Sequence, residues 1–354
     1  MKKELFEFKK KSQDFIVEEI LPWELNWNGD VLFVYFEKIN ANTMDVVEYL
    51  SIEFKVSQKS FGIWWLKDKD AITRQRICVY KSLLQKIWGE SRFLDTLAKI
   101  VRIIKYDWHN KTLNLSEEIK NKFYIKLRGK KTFSQMEKDE IKKDVLDIME
   151  KWVPNYFWAQ RFGINYRNIN MWKNILLSKH SLKNKFETKF KLQAYASFLF
   201  NKLVDFRLSK SGELLDWDIF KIWNNFWFWD LNSKSIKVFE NKRNEHFFYF
   251  PDNISSFQNL EKHDKITLPV FGFNTLLCKP QSKAGIIEQQ FIKEFNLNEK
   301  NLKMFQSLGI YGLRRNFWLQ PEDYQVNWKW DEINISFVLG KGNYASVIIE
   351  KLWK

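Results

Sequence analysis

Glycine, cysteine and histidine are scarce in this chain of 354 residues, and long apolar runs are missing. The two cysteines, Cys78 and Cys278, lie far apart and have no partners at metal-ligand spacing. Neither a disulfide framework nor a zinc site is indicated, and a reducing cytoplasm is the expected compartment. The histidines, His109, His180, His246 and His263, are scattered, so histidine-centred chemistry is not expected. No stretch approaches the roughly 20 apolar residues needed to cross a bilayer, and no membrane partner is expected. The opening residues, Met1 to Lys11, are basic but contain no apolar segment or small-residue cleavage site, which argues against a secretory signal. Internal repeats and low-complexity linkers are also lacking.

The glycine deficit has a counterpart. The chain has 12 glycines and 17 tryptophans, whereas glycine alone supplies about 7% of an average chain. Their sum is close to ordinary glycine plus sparse tryptophan. Two readings follow: a chain rich in aromatics, which also has 32 Phe and 12 Tyr, or tryptophans standing where glycine belongs.

Charge and apolar bulk are plentiful. A hydrophobic content of 45% is enough for a substantial core, in one large domain or two ordinary ones. Lys and Arg total 58 against 43 Asp and Glu, a formal charge of +15, which favours a polyanionic partner, nucleic acid first. A lysine-rich solvated surface from a compositionally biased genome would give the same charge.

Asp14 to Glu19 and Asp30 to Glu37 are β-branched and aromatic runs, and they read as strands. Asn42-Thr43 caps a helix with Met44, Val47 and Leu50 on one face. Phe61 to Leu66 reads as a buried strand, and the alternation through Ile72, Ile77 and Val79 reads as another. Ser134 and Glu137 form a capping box opening a helix with Ile141, Val145, Ile148, Met149 and Trp152 at helical spacing, ended by Pro154. Leu192, Tyr195, Leu199, Leu203 and Phe206 stripe a long helix, and Ala284 to Phe295 forms a shorter one. Ile333 to Leu339 reads as a strand, Gly340-Lys341-Gly342 as a turn, and Tyr344 to Trp353 as a terminal helix.

Between the two strands at 61–79 lies Lys67-Asp68-Lys69-Asp70-Ala71-Ile72-Thr73-Arg74-Gln75, a carboxylate set among cations. Lys67 and Lys69 should keep Asp68 ionised, because nearby positive charge favours the carboxylate. Asp70 competes on charge alone. Nearer the start stand Asp14-Phe15 with Val17-Glu18, and further along Pro154-Asn155-Tyr156-Phe157-Trp158-Ala159-Gln160-Arg161-Phe162-Gly163. Ala194-Tyr195, Ser197-Phe198, Phe200-Asn201, Gly312-Leu313-Arg314-Arg315 and Lys341-Gly342-Asn343-Tyr344-Ala345-Ser346 complete the set.

Taken in chain order, these elements resemble those of the TruD family of tRNA pseudouridine synthases across nearly the whole chain. The resemblance implies an α+β fold: a pseudouridine synthase catalytic core, built on a mixed, mainly antiparallel sheet with flanking helices, carrying a TruD-type α/β insertion domain. The catalytic domain would comprise residues 1–180 and 310–354, and the insertion residues 181–309. The implied activity is isomerisation of a tRNA uridine, usually at the thirteenth nucleotide, with no cofactor and no metal. The sequence leaves the oligomeric state open.

The resemblance assigns the catalytic carboxylate to Asp68, directly after lysine, rather than to Asp70. That carboxylate would either attack covalently or stabilise charge and move a proton at the sugar. The target base must be extruded into a pocket and held by its face and edge. Phe157 is the implied stacking residue, Asn155 offers an amide to base or ribose, and Trp23 and Tyr344 match other aromatic substrate positions. Lys67, Arg74, Arg161, Arg314 and Arg315 are supporting cations, for phosphates or as braces. A noncatalytic RNA-binding or RNA-folding protein on the same scaffold is the alternative.

Trp65 and Trp158 stand where the family has glycine, and indole there would crowd a closely approached backbone. This favours a gene whose UGA codons mean glycine but were rendered as tryptophan, with Trp227 and Trp229 as further candidates.

Overall fold

The computed structural model describes residues 3–21, 24, 28–63, 71–110, 119–162, 185–222, 238–240, 246–249 and 266–353. The chain divides into two compact units. One comprises Met1–Glu150, Pro321–Ala345 and Ile349–Lys354; the other comprises Lys151–Gln320 and Ser346–Ile348.

The first unit is built on a sheet of nine strands: β1 (Phe6–Phe8), β2 (Phe15–Ile20), β3 (Val31–Ile39), β4 (Gly62–Ile63), β5 (Ile72–Tyr80), β6 (Arg102–His109), β7 (Lys120–Gly129), β15 (Glu322–Lys329) and β16 (Glu332–Gly340). The main order is β15-β16-β7-β2-β5-β3-β6, with β1 on β7 and β4 on β5. Every pairing is antiparallel except β2 with β5, where Ile16, Val17 and Glu18 lie beside Ile72, Thr73 and Arg74. The mixed, mainly antiparallel sheet is the one expected.

Strand alternation gives β3 and β5 two unlike faces. Leu32, Val34, Phe36, Ile77 and Val79 point to one side. There they pack against α1 (Thr43–Phe54), α2 (Lys81–Lys86) and α3 (Glu90–Ala98). Each large apolar side chain fully buried in such a core contributes about 1.5–3 kcal/mol.

Helix α1 opens at Asn42, whose backbone N–H donates to the Asp45 carboxylate at 3.3 Å. Its buried residues are Thr43, Val46, Val47 and Leu50, whereas Met44 is exposed. Val47 and Leu50 of the expected face are inside, and only Met44 is not, its place being taken by Thr43 and Val46. Thr43 donates its hydroxyl proton to Gln75 Oε1 at 3.1 Å, which draws position 43 inward and turns its neighbour out.

The capping box at Ser134 is formed as expected. Ser134 N–H donates to Glu137 Oε2 at 2.8 Å, and Glu137 N–H donates to Ser134 Oγ. Hydrogen bonds from Lys131 and Ser134 hold the Glu137 carboxyl down to about 2. The resulting helix, α4 (Gln135–Met149), buries Ile141, Val145 and Met149 and ends before Pro154 is reached.

The Lys67-Asp68 segment lies outside the described residues, but both of its flanks are fixed. Gly62 and Ile63 pair with Cys78 and Ile77, and buried Ala71 accepts a hydrogen bond from Asn40 N–H at 3.2 Å before β5 begins. The expected strand to Leu66 is described only as β4.

The second unit holds a five-stranded antiparallel sheet ordered β10-β11-β9-β12-β13. Its strands are β9 (Ile219–Ile222), β10 (Val238–Glu240), β11 (His246–Tyr249), β12 (Ile266–Val270) and β13 (Leu313–Asn316). Short strands β8 (Val153–Pro154) and β14 (Trp318–Leu319) pair separately. The long helix α5 (Lys185–Lys210) presents Leu192, Tyr195, Leu199 and Leu203 to the core, with Phe291 of α6 (Lys283–Glu294) and Phe305 of α7 (Glu299–Ser307). The chain's last helix is α8 (Ala345–Leu352). Among the described residues no helix is long and apolar enough to cross a membrane.

Candidate functional site

The segment after β8 is held to the chain by backbone and side chains together. Asn155 N–H donates to the Phe317 carbonyl at 2.8 Å, continuing the pairing of β8 with β14. Helix α5 then supplies three polar side chains four residues apart, Ser197, Asn201 and Asp205, a spacing that sets them on one face. Each takes up part of the 156–161 segment. Tyr156 donates its hydroxyl to Asp205 at 2.7 Å, and burial together with that carboxylate raises the phenol's pKa. Asn201 accepts from Phe157 N–H at 2.7 Å and donates to the Phe157 carbonyl at 2.8 Å. Arg161 Nε donates to Ser197 Oγ at 2.8 Å.

This clamp presents a half-buried phenyl ring to two guanidiniums. Arg315 lies 4.2 Å and Arg161 5.2 Å from the Phe157 ring centre, and Phe200 packs edge-on at 5.4 Å. Aromatic and guanidinium groups together are the chemistry that receives a nucleobase and its phosphates. Arg315 also reaches Asn155, donating from Nη2 to Oδ1 at 2.6 Å and from Nε to the backbone carbonyl at 3.2 Å. The Asn155 amide nitrogen donates to the Asn316 carbonyl at 3.1 Å. Asn155 is fully buried with both ends of its amide engaged, so in this state it braces Arg315.

Arg314 has a different setting. Burial works against its charge, but Glu288 keeps it strongly cationic. Nη1 donates to Glu288 Oε1 at 2.9 Å and to the Leu276 carbonyl at 3.0 Å, while Nε donates to Thr267 Oγ1 at 3.1 Å. Glu288 also accepts from Cys278 N–H at 2.7 Å and from its thiol at 3.2 Å. Burial, then Glu288, pushes that thiol well above its ordinary value. Arg314 is thus a brace inside the unit.

In the first unit, Arg74 belongs to a charged row on the sheet face opposite α1–α3. The row runs Glu18, Arg74, Glu37, Arg102 across β2, β5, β3 and β6. Arg74 donates to Glu37 at 2.9 Å and lies 3.5 Å from Glu18; Arg102 donates to Glu37 at 2.9 Å. Burial would raise Glu37, but the bonds from Arg74 and Arg102 outweigh it and hold the carboxyl below its ordinary value. Tyr344 is the half-buried N-cap residue of α8. Lys67, Asp68 and Trp23 lie outside the described residues.

The structure therefore brings together Asn155, Phe157, Arg161 and Arg315. The sequence reading did not give Ser197, Asn201 and Asp205 a role at the site. Their polar stripe at i, i+4 and i+8, beside the apolar stripe of the same helix, was the available signal.

A family model for tRNA pseudouridine synthase D (TruD) matches residues 6–187 and 173–352. The chain belongs to the TruD family, and it is accordingly a pseudouridine synthase, an isomerase. It is 27% identical to tRNA pseudouridine synthase D of Sulfurimonas denitrificans, over 99% of this chain and 95% of the relative. It is 26% identical to the protein of that name from Shewanella oneidensis, over 96% of this chain and 84% of the relative. A TruD crystal structure from Methanosarcina mazei shares the fold, with a TM-score of 0.61 and 18% identity over 98% of this chain and 93% of that one.

Proposed function

We propose that this protein converts a tRNA uridine, the one at the thirteenth nucleotide, to pseudouridine, with Asp68 as the catalytic carboxylate. The observation that carries this reading is the continuity of the family match: residues 6–187 and 173–352 take in Asp68, Asn155, Phe157, Arg315 and Tyr344. In the reaction the bond from C1′ of the sugar to N1 of uracil breaks, the base turns, and C1′ joins C5. C5 loses a proton and N1 gains one, so no oxidant, reductant or second substrate is consumed.

Asp68, kept anionic by Lys67 and Lys69, meets the sugar or base as charge develops there. Phe157 supplies a face for the extruded base, with Trp23 and Tyr344 as further aromatic contacts. Arg315 and Arg161 attract phosphate, and Asn155 holds Arg315 in place. The catalytic domain is assigned to residues 1–180 and 310–354, and the insertion to 181–309.

The test is pseudouridine mapping on an unmodified tRNA transcript. The unaltered protein should convert the thirteenth nucleotide and Asp68→Ala should leave it as uridine. Absence of product from both proteins would contradict the reading. Binding of tRNA should also weaken as salt rises, because phosphate contacts release counterions.

A further inference from the structure

Among the described residues, nine that are not glycine have positive φ. Four are Asn or Asp, Asn40, Asn274, Asn296 and Asp323, as expected of side chains that tolerate the left-handed region. Three are tryptophans: Trp88 at 74°, Trp217 at 62° and Trp330 at 59°. With 17 tryptophans in 354 residues, fewer than one would fall among nine positions by chance. A bulky aromatic is also among the residues least suited to this conformation.

Each tryptophan occupies a turn position that calls for glycine, in three different kinds of turn. Helix α2 ends with Ile87 as its C-cap, and Gly89 N–H reaches back to the Leu84 carbonyl at 2.8 Å. That is the Schellman closure, and Trp88 holds its left-handed position, usually glycine. Trp217 is third in a four-residue turn closed by Asp218 N–H donating to the Leu215 carbonyl at 3.2 Å. Positive φ at that place alone is the type II pattern, with glycine or asparagine there. Trp330 and Asp331 form the two-residue loop between β15 and β16, bounded by the pair Lys329 and Glu332. Only the first loop residue has positive φ, as in a type II′ hairpin, whose first central position takes glycine.

The side chains do not explain why tryptophan should be there. Trp88 is 80% and Trp330 83% exposed, so neither indole gains a core. Arg92 lies 5.7 Å from the Trp88 ring and Lys279 4.0 Å from that of Trp217, contacts that leave the backbone strain in place.

We infer that residues 88, 217 and 330 are glycine in the protein as its own cell makes it, encoded by UGA codons that the cell reads as glycine. This does not rest on the proposed function. It strengthens the compositional argument, since the three positions come from backbone geometry rather than from motif comparison. Trp158 has no positive φ, and Trp65, Trp227 and Trp229 lie outside the described residues. Left-handed backbone is thus confined to Trp88, Trp217 and Trp330 among the described tryptophans.

The test reads the three codons and then the peptides. UGA at 88, 217 and 330, with glycine at those positions in tryptic peptides of protein purified from the source cells, is expected. UGG at any of the three, or tryptophan in the native peptides, would overturn the inference. A folding measurement adds independent evidence. Trp88→Gly, Trp217→Gly and Trp330→Gly, made in the tryptophan-bearing protein, should each raise the folded-to-unfolded ratio by about fivefold or more, as relief of left-handed strain predicts. An unchanged or lower ratio in all three would count against it.

Discussion

Arg314 and Arg315 are neighbours on β13, yet the two sides of that strand do different work. On one side, Arg314 is buried with Glu288, Thr267 and Cys278, in the unit that also encloses the Arg207–Asp218 pair at 2.8 Å. On the other, half-buried Arg315 bonds to Asn155 and lies over Phe157. Residue type and sequence motif are the same, so the difference comes from strand alternation, which sends successive side chains to opposite faces. One guanidinium neutralises a carboxylate where water is excluded; the other bonds to an amide and lies over an aromatic ring.

The comparison breaks first on the buried side. Arg314→Met would leave Glu288 charged and unpaired, at an expected cost of about 3–5 kcal/mol in urea denaturation. Adding Glu288→Gln should recover part of that loss, because the two residues share one network. A loss no larger than that of an ordinary surface change would mean that Arg314 does not hold the core.

The next effect separates the faces by pH. Burial pushes the Asp218 carboxyl up to about 6, against the pull of Arg207 and the Leu215 N–H. Its native value lies above its unfolded one, so the native state binds the extra proton. The associated stability is complete below about pH 4 and is lost as pH rises through about 6. Asp218→Asn should remove that loss, on the order of 2 kcal/mol between pH 4 and pH 7. Identical pH profiles for the two proteins would contradict the assignment.

A smaller effect is expected at the clamp. Asn201→Ala leaves the Phe157 N–H and carbonyl without their side-chain partner, costing about 1–2 kcal/mol of stability. Pseudouridine formation should slow by roughly tenfold through misplacement of the ring. An unchanged rate at unchanged substrate affinity would show that Phe157 needs no such support.

Local signals carried much of the fold. The run from Asp14 to Glu19, the Ser134–Glu137 box and the apolar stripe from Leu192 to Leu203 each reported on neighbouring residues, and each formed its element, the strand one residue later at Phe15–Ile20. Helix α1 was legible as a helix with Val47 and Leu50 inside, but not the burial of Thr43 in place of Met44, because Thr43 bonds to Gln75, a strand residue far along the chain. The site was less legible for the same reason. The pattern named Asn155, Phe157 and both arginines, but nothing local shows that Arg315 bonds to Asn155 or that Arg314 bonds to Glu288. The role of Arg74 likewise depends on Glu18 and Glu37 from two flanking strands.

The most direct measurement is single-turnover pseudouridine formation by Arg315→Ala, read beside its thermal midpoint. If this face of β13 serves the substrate, the rate falls on the order of a hundredfold while the midpoint stays within a few degrees of the unaltered protein. An unaltered rate with an unaltered midpoint would contradict the account.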